Sequence, residues 1–450
     1  MRSYLSQLTG SVRGSGLRGQ VVRGSVAGIS LKSAQSLLGL LLAIMLARSL
    51  GATNYGVYAY VYALISVLAL PAKFGLPQLL VRETARSHAL ENWKLMRGVW
   101  LWSWGTGIGL SITIGVVSGV VGWYVADKFS DAQMRTYYWG LTLIPLLALG
   151  ALRDGALRGL RHVVRSQVSE SIIRPGVLLA LVAISAVNGL HLTAPTAMQL
   201  HAISAFCAFL AGAWLLRISA PAAILERPRP VFQGAVWRAS VLPLALVTGM
   251  QLLNKQIDIL MIGVFRTADD VGVYRIVVQG AVLVAFGLHA ISLVVTPHFA
   301  RLFALDDSVR LQRLATASAR VMFFLALPVA GIFVVYGSHI LSLVFGEEYA
   351  RGYNALVILS VGQVGNAAFG AVLQLLNMTG NEKATVKTLA WVALLNIVLN
   401  LILIPFFGII GAAAATSFTL LLWNWLLYRT LQTKTGLYSS VVGASLSPRE

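Results

Sequence analysis

The residues of this sequence best placed to do chemistry are charged side chains inside apolar runs. They are Lys32, Lys73, Arg174, Lys255 and Asp258. Charges at membrane depth are rare and by default mark a functional cavity. Lys255 and Asp258 lie three residues apart and can share one helix face. They can neutralise each other and hold helices together, or both can face a cavity. Lys32, Lys73 and Arg174 can instead snorkel to an interface. If Lys255 and Asp258 pair, the remaining bases face no unpaired acid, and the cavity should attract anions. Lys32, Arg174, Lys255 and Asp258 are therefore the candidate substrate-binding residues.

Signs of enzyme chemistry are scarce, and no catalytic residue, metal or cofactor is predicted. The segment Gly105 to Gly109, GTGIG, looks like half a dinucleotide loop, but it sits in an apolar span with no strand before it. Helix packing is its natural role. His88, His162, His191, His201, His289, His298 and His339 show no metal-ligand spacing and read as interfacial or polar packing residues. The single cysteine, Cys207, lies in an apolar run, excludes an intramolecular disulfide and reads as a packing residue. A membrane glycosyltransferase would need a carboxylate in its first outer loop. Arg48 to Asn54 contains none.

The elements that must position these charges are membrane helices. The chain is 57% hydrophobic and only 11% charged, against roughly 25% charged in a soluble domain. A helix needs about 20 apolar residues to cross the hydrocarbon core, and with that ruler about twelve spans are predicted. They fall at 27–47, 55–75, 99–124, 135–152, 168–188, 196–217, 238–264, 272–295, 318–344, 353–375, 385–404 and 409–429. No compact apolar core precedes a small-residue cleavage site in residues 1–25, so the first span is expected to act as an uncleaved signal anchor.

The net charge of +19 raises the question of nucleic acid, and the placement of the charges answers it. With the N-terminus inside, most Arg and Lys residues fall in alternate loops, such as Arg153, Arg158, Arg161 and Arg165 in one of them. Only Arg48, Lys128, Arg135, Arg266, Arg275 and Arg351 fall in outer loops. This is the positive-inside pattern of a multi-pass protein of the plasma (inner) membrane with both termini cytoplasmic, and it removes any need for nucleic acid as a partner.

Shifting the chain by about 216 positions lays Ala52, Gly56, Val57, Tyr58 and Val61 over Ala268, Gly272, Val273, Tyr274 and Val277. The two GVY triplets coincide. The second and eighth spans therefore correspond, and the chain divides into two parallel repeats of six spans with a path between them. The predicted organisation is a cytoplasmic N-terminal segment 1–26, a six-helix bundle 27–218, a cytoplasmic linker 219–237, a second bundle 238–430 and a cytoplasmic tail 431–450, disordered from Thr433. Pro71, Pro145, Pro175, Pro243 and Pro328 fall within spans, where proline frees carbonyls and permits bends. Arg174-Pro175-Gly176 couples a charge to an expected kink.

The stretches ARSLGATNYGVYAY and FGLPQLLVRETAR (Ala47 to Arg86), Leu157 to Gly176, Ile257 to Tyr274, Phe345 to Gly362 and Leu375 to Thr416 resemble the polysaccharide-exporter branch, the O-antigen flippases, of the multidrug, oligosaccharidyl-lipid and polysaccharide exporter superfamily. The likeness covers nearly the whole chain apart from its termini. It implies an all-α polytopic membrane protein with two six-helix bundles in a V shape. It also implies a transporter that moves a polyprenyl-diphosphate-linked glycan from the cytoplasmic to the outer leaflet. Its expected partners are that lipid-linked glycan, membrane lipids and other polysaccharide-assembly proteins. Coupling to a Na+ or H+ gradient, or to membrane potential, is open. The alternatives are a cation-coupled multidrug exporter of the same fold and, after it, a membrane glycan ligase or polymerase.

Overall fold

The computed structural model describes residues 17–443, and no strand occurs among them. In chain order the helices of the first half are α1 (Leu17–Leu68), α2 (Leu70–Lys73), α3 (Leu76–Ala89), α4 (Trp93–Tyr124), α5 (Asp131–Leu141), α6 (Leu143–Gly159), α7 (Val163–Val168), α8 (Arg174–Val187) and α9 (Ala194–Ser219). The short α10 (Ala222–Leu225) leads into the second half: α11 (Gly234–Phe265), α12 (Ala268–Val284), α13 (Phe286–Ala304), α14 (Ser308–Phe345), α15 (Tyr353–Ala368), α16 (Val372–Met378) and α17 (Glu382–Thr435).

Nine helical stretches among the described residues are long and apolar enough to cross a membrane. Two of them contain a break that the predicted twelve-span pattern also requires. Gly51 (φ 70°, ψ 169°) interrupts α1 between the first and second predicted spans. Gly408 (φ 57°, ψ −133°) interrupts α17 between the eleventh and twelfth. Both lie in the left-handed region, which costs a residue with a Cβ and suits glycine. The spans themselves carry almost no amphipathic pattern, as expected of helices whose outer faces meet lipid rather than water.

The repeat seen in the sequence reappears as a contact. α1 and α12 pack against each other more extensively than any other pair of helices. At their crossing a side chain on Gly56 would run into the Ala268 carbonyl, and one on Gly272 into that of Ala52. Each half thus offers its GVY glycine to the backbone of the other, which lets the predicted outer ends of the two halves close at backbone distance. Further ties lie alongside. The Ala52 amide donates to Glu348 Oε1 at 2.8 Å, and the Tyr349 hydroxyl to the Ala47 carbonyl at 3.3 Å. Arg48 donates to the carbonyls of Val344 and Leu343, capping the end of α14 as a cation at a helix C-terminus does.

Two expectations change. Arg275, predicted to lie in an outer loop, stands within α12 and is directed at the Tyr55 phenol of the other half. The tail after Thr433 is ordered as far as Gly443. α17 continues to Thr435, Gln312 bonds both the amide and the carbonyl of Tyr438 (2.8 and 2.6 Å), and Arg320 donates to Val441 O. Polar composition suggested disorder, but an amide side chain paired with a backbone amide and carbonyl supplies the partners a loose tail would lack. Residues 444–450 lie outside the described residues, as do residues 1–16. The predicted linker, for its part, is strapped to the first half. Arg97 donates to the carbonyls of Arg227 and Pro228, Val231 N donates to Lys94 O, and Trp237 is fully buried in a core formed by α3, α4, α6 and α9.

Candidate functional site

Two buried polar centres, one per half, are built around the equivalent tyrosines, and a third group of charges lies between them. In the first half Tyr58 and Tyr62 are four apart on α1 and share a face. His201 of α9 hydrogen-bonds the Tyr58 hydroxyl through Nδ1 at 2.7 Å and stacks on Tyr62 with ring centroids 4.9 Å apart. Below this aromatic group, Ser169–Ile173 form a π-helical turn directly before Pro175. Such turns widen a helix and often occur at functional positions. Here the turn contains Glu170 and ends just before Arg174, and the two side chains pair at 3.0 Å. Glu170 also lies 3.5 Å from Arg153, which reaches Asp154 at 2.8 Å and donates to the carbonyls of Ala208 and Phe209. Lys73 is within Coulombic reach of Arg174 and Glu170.

Arg174 is thus no bare cation. Glu170 and Asp154, two acids absent from the sequence candidates, answer Arg174 and Arg153. Spacing could have found the first pair, since Glu170 and Arg174 are an i,i+4 couple.

In the second half Asp258 is buried. Its carboxylate accepts from Tyr274 Oη (3.0 Å), Thr416 Oγ1 (2.6 Å) and Asn400 Nδ2 (2.8 Å). Asn400 also donates to Asn396 Oδ1 at 3.0 Å, and Asn396 to Thr419 Oγ1 at 3.2 Å. All but Tyr274 come from α17, where positions 396 and 400 share a face. The Asn400 carbonyl oxygen is buried and has no hydrogen-bond donor. Of the two roles open to Lys255 and Asp258, the mutual pair is not the one adopted: among the described residues no ion pair joins them. Three residues along a helix leave two side chains about 60° apart. That is enough to bury Asp258 against α12 and α17 while Lys255 stays exposed.

Lys255 instead joins Lys32. Both are exposed, and they lie close enough to repel one another. His289 of α13 is within Coulombic reach of both. Lys32 Nζ donates to Gln35 Oε1 at 3.0 Å, and the Gln279 amide of α12 approaches Gly39 of α1. Among the described residues neither lysine has a carboxylate partner. Helices of both halves therefore bring two uncompensated ammonium groups and an imidazole together. The four candidate residues sort into three groups: Lys32 with Lys255, Arg174 in the first centre, and Asp258 in the second. His289 was read from sequence as a packing histidine, since a lone imidazole in an apolar run carries no pattern.

This all-helical architecture, with charged and polar groups buried among helices long and apolar enough to cross a membrane, is that of a polytopic membrane protein. A sequence-family model described as "Polysaccharide biosynthesis protein" matches residues 45–353, and the chain belongs to that family. Among curated proteins it is 25% identical over 383 residues to the probable low-salt glycan biosynthesis flippase Agl15 of Haloferax volcanii, covering 82% of this chain and 75% of that protein. It is 30% identical over 178 residues to the probable flippase AglR of the same organism, covering 39% and 37%. Among solved structures it resembles an inward-facing multidrug resistance MATE family transporter of the MOP superfamily (TM-score 0.72, 15% identity, 89% of this chain and 96% of that one). It also resembles the lipid II flippase MurJ in an inward closed conformation (TM-score 0.69, 13% identity, 90% and 87%). The all-α transporter fold and the polysaccharide-export family expected from the sequence are both observed.

Proposed function

We propose that the protein is a flippase that carries a polyprenyl-diphosphate-linked glycan from the cytoplasmic to the outer leaflet during surface polysaccharide assembly, with both termini cytoplasmic. The observation that carries this reading is the Lys32–Lys255–His289 group between the halves. A diphosphate crossing the bilayer needs cations along its route, and two lysines without carboxylate partners among the described residues can supply them. The glycan would occupy the polar cleft and the lipid tail the bilayer beside it. The close backbone contact at Gly56 and Gly272 would seal the outer end while substrate loads from the cytoplasm. Parting of the halves at that contact would release it.

An inside-negative potential favours outward movement of an anion by about 2.3 kcal/mol per charge per 100 mV. The Asp258 centre is the candidate for coupling to a Na+ or H+ gradient. It holds a carboxylate answered only by hydroxyl and amide donors, with the Asn400 oxygen unpartnered beside it.

Reconstitution in liposomes with a lipid-diphosphate glycan from the host cell tests both ideas. Lys255→Ala and Lys32→Ala should each lower flux about tenfold, the effect of losing one charge-assisted contact of about 1.5 kcal/mol, while the protein still elutes as a folded species. Wild-type flux in both would remove the cleft from the mechanism. Flux by the wild-type protein that is indifferent to ion gradients at fixed potential would remove the coupling role of Asp258.

A further inference from the structure

A groove of about 400 Å³ is lined by helices of the first half and by α10. Its walls are Trp104 and Ile108 of α4 and Phe209 and Ala213 of α9, with Leu149 of α6 at the base. The neighbouring Trp100 is pinned by its indole N–H to Thr84 Oγ1 at 2.9 Å. One end is closed by α10, through Ile224 and Leu225. Apart from two arginines the lining is apolar, and one of these, Arg153, is spent on Asp154, Glu170 and the α9 carbonyls.

The other is Arg217, at the mouth near α10. It is exposed, and it stands two residues from Ser219, whose hydroxyl accepts from the exposed Arg165 at 2.8 Å. Among the described residues neither Arg165 nor Arg217 has a carboxylate partner. A slot for hydrocarbon therefore ends at two unanswered guanidinium groups, on the side the charge distribution predicts to be cytoplasmic. The matching ligand has an apolar chain and an anionic head. Basic pockets between membrane helices on the cytoplasmic side are suited to acidic lipid headgroups, and guanidinium is the group best shaped for phosphate.

We propose that this groove binds an anionic phospholipid of the adjoining leaflet, one acyl chain lying between Trp104 and Phe209 and the phosphate resting on Arg217 and Arg165. None of the residues that line it belongs to the Lys32, Lys255 and His289 group. Because Arg153 links its floor to Glu170, and Glu170 to Arg174, a bound lipid would pack against the back of the first-half centre.

Native mass spectrometry of the full chain, released from detergent with phosphatidylglycerol or phosphatidylcholine, tests the proposal without a transport readout. Wild type should retain phosphatidylglycerol in preference to phosphatidylcholine. Arg217→Ala and Arg165→Ala should each weaken it about fivefold, the effect of one arginine at an anionic surface. Ala213→Trp, which fills the groove from its exposed wall, should abolish retention. Should that variant fail to fold, the two exposed arginines decide the matter. Equal retention of both lipids, or wild-type retention in the arginine variants, would overturn the proposal. So would competitive displacement by a polyprenyl phosphate, which would hand the groove to the substrate's tail.

Discussion

The two halves place equivalent tyrosines at equivalent crossings, yet they surround them with opposite chemistry. Tyr58 meets an imidazole, above a cluster in which Arg153 and Arg174 share Glu170. Tyr274 meets a carboxylate whose other partners are uncharged: Thr416 and Asn400. The backbone frame is thus symmetric down to the glycine two residues before each tyrosine, while the side chains packed on it have diverged. In the first half opposite charges are matched, which is costly to break and gives rigidity. In the second a single acid is held by hydroxyl and amide dipoles.

The sharpest test of the first centre is Glu170→Gln. It strands Arg174 in a largely buried place, while Arg153 keeps Asp154, and should cost about 3 kcal/mol, the usual penalty for breaking a buried pair, read by chemical denaturation in bicelles. A cost near zero would make the arginine cluster a surface feature and erase the contrast. Asp258→Ala comes next. It leaves the Tyr274, Thr416 and Asn400 donors unsatisfied and should cost about 2 kcal/mol, whereas Asp258→Asn should recover most of that because it retains an acceptor. If the asparagine variant is as unstable as the alanine, the negative charge itself stabilises the centre and the reading of a dipole-held acid fails. The smallest effects belong to the tyrosines. Tyr58→Phe and Tyr274→Phe should each lose about 1 kcal/mol, the net worth of one hydrogen bond. A much larger loss at one of them would show that the halves differ in frame as well as in chemistry.

Much of the fold was legible because hydropathy and the positive-inside bias act on local sequence. The breaks at Gly51 and Gly408 fall where span boundaries were drawn, and the GVY echo located the helices that cross. The site was legible only in part. Lys32 and Lys255 could be singled out as charges at depth, but their mutual approach could not, because they lie on helices of different halves. Which role Lys255 and Asp258 take was not legible for a local reason: spacing of three residues permits a shared face but does not fix which way each side chain turns. Glu170 was absent from the candidates, although its i,i+4 spacing to Arg174 could have found it.

The sequence by itself determined an all-α polytopic membrane protein, the GVY repeat that marks the crossing of α1 and α12, and the small set of charges set within apolar runs. The first and last of these follow from the cost of placing polar groups in hydrocarbon, which each segment meets alone. Only the tertiary structure decided which charges are answered. The partners of Asp258 at 400 and 416, of Tyr58 at 201 and of Arg48 at 343 and 344 are remote in the chain. A buried polar group takes whatever donor or acceptor the packing of helices brings within about 3 Å, and that choice is made by the fold as a whole.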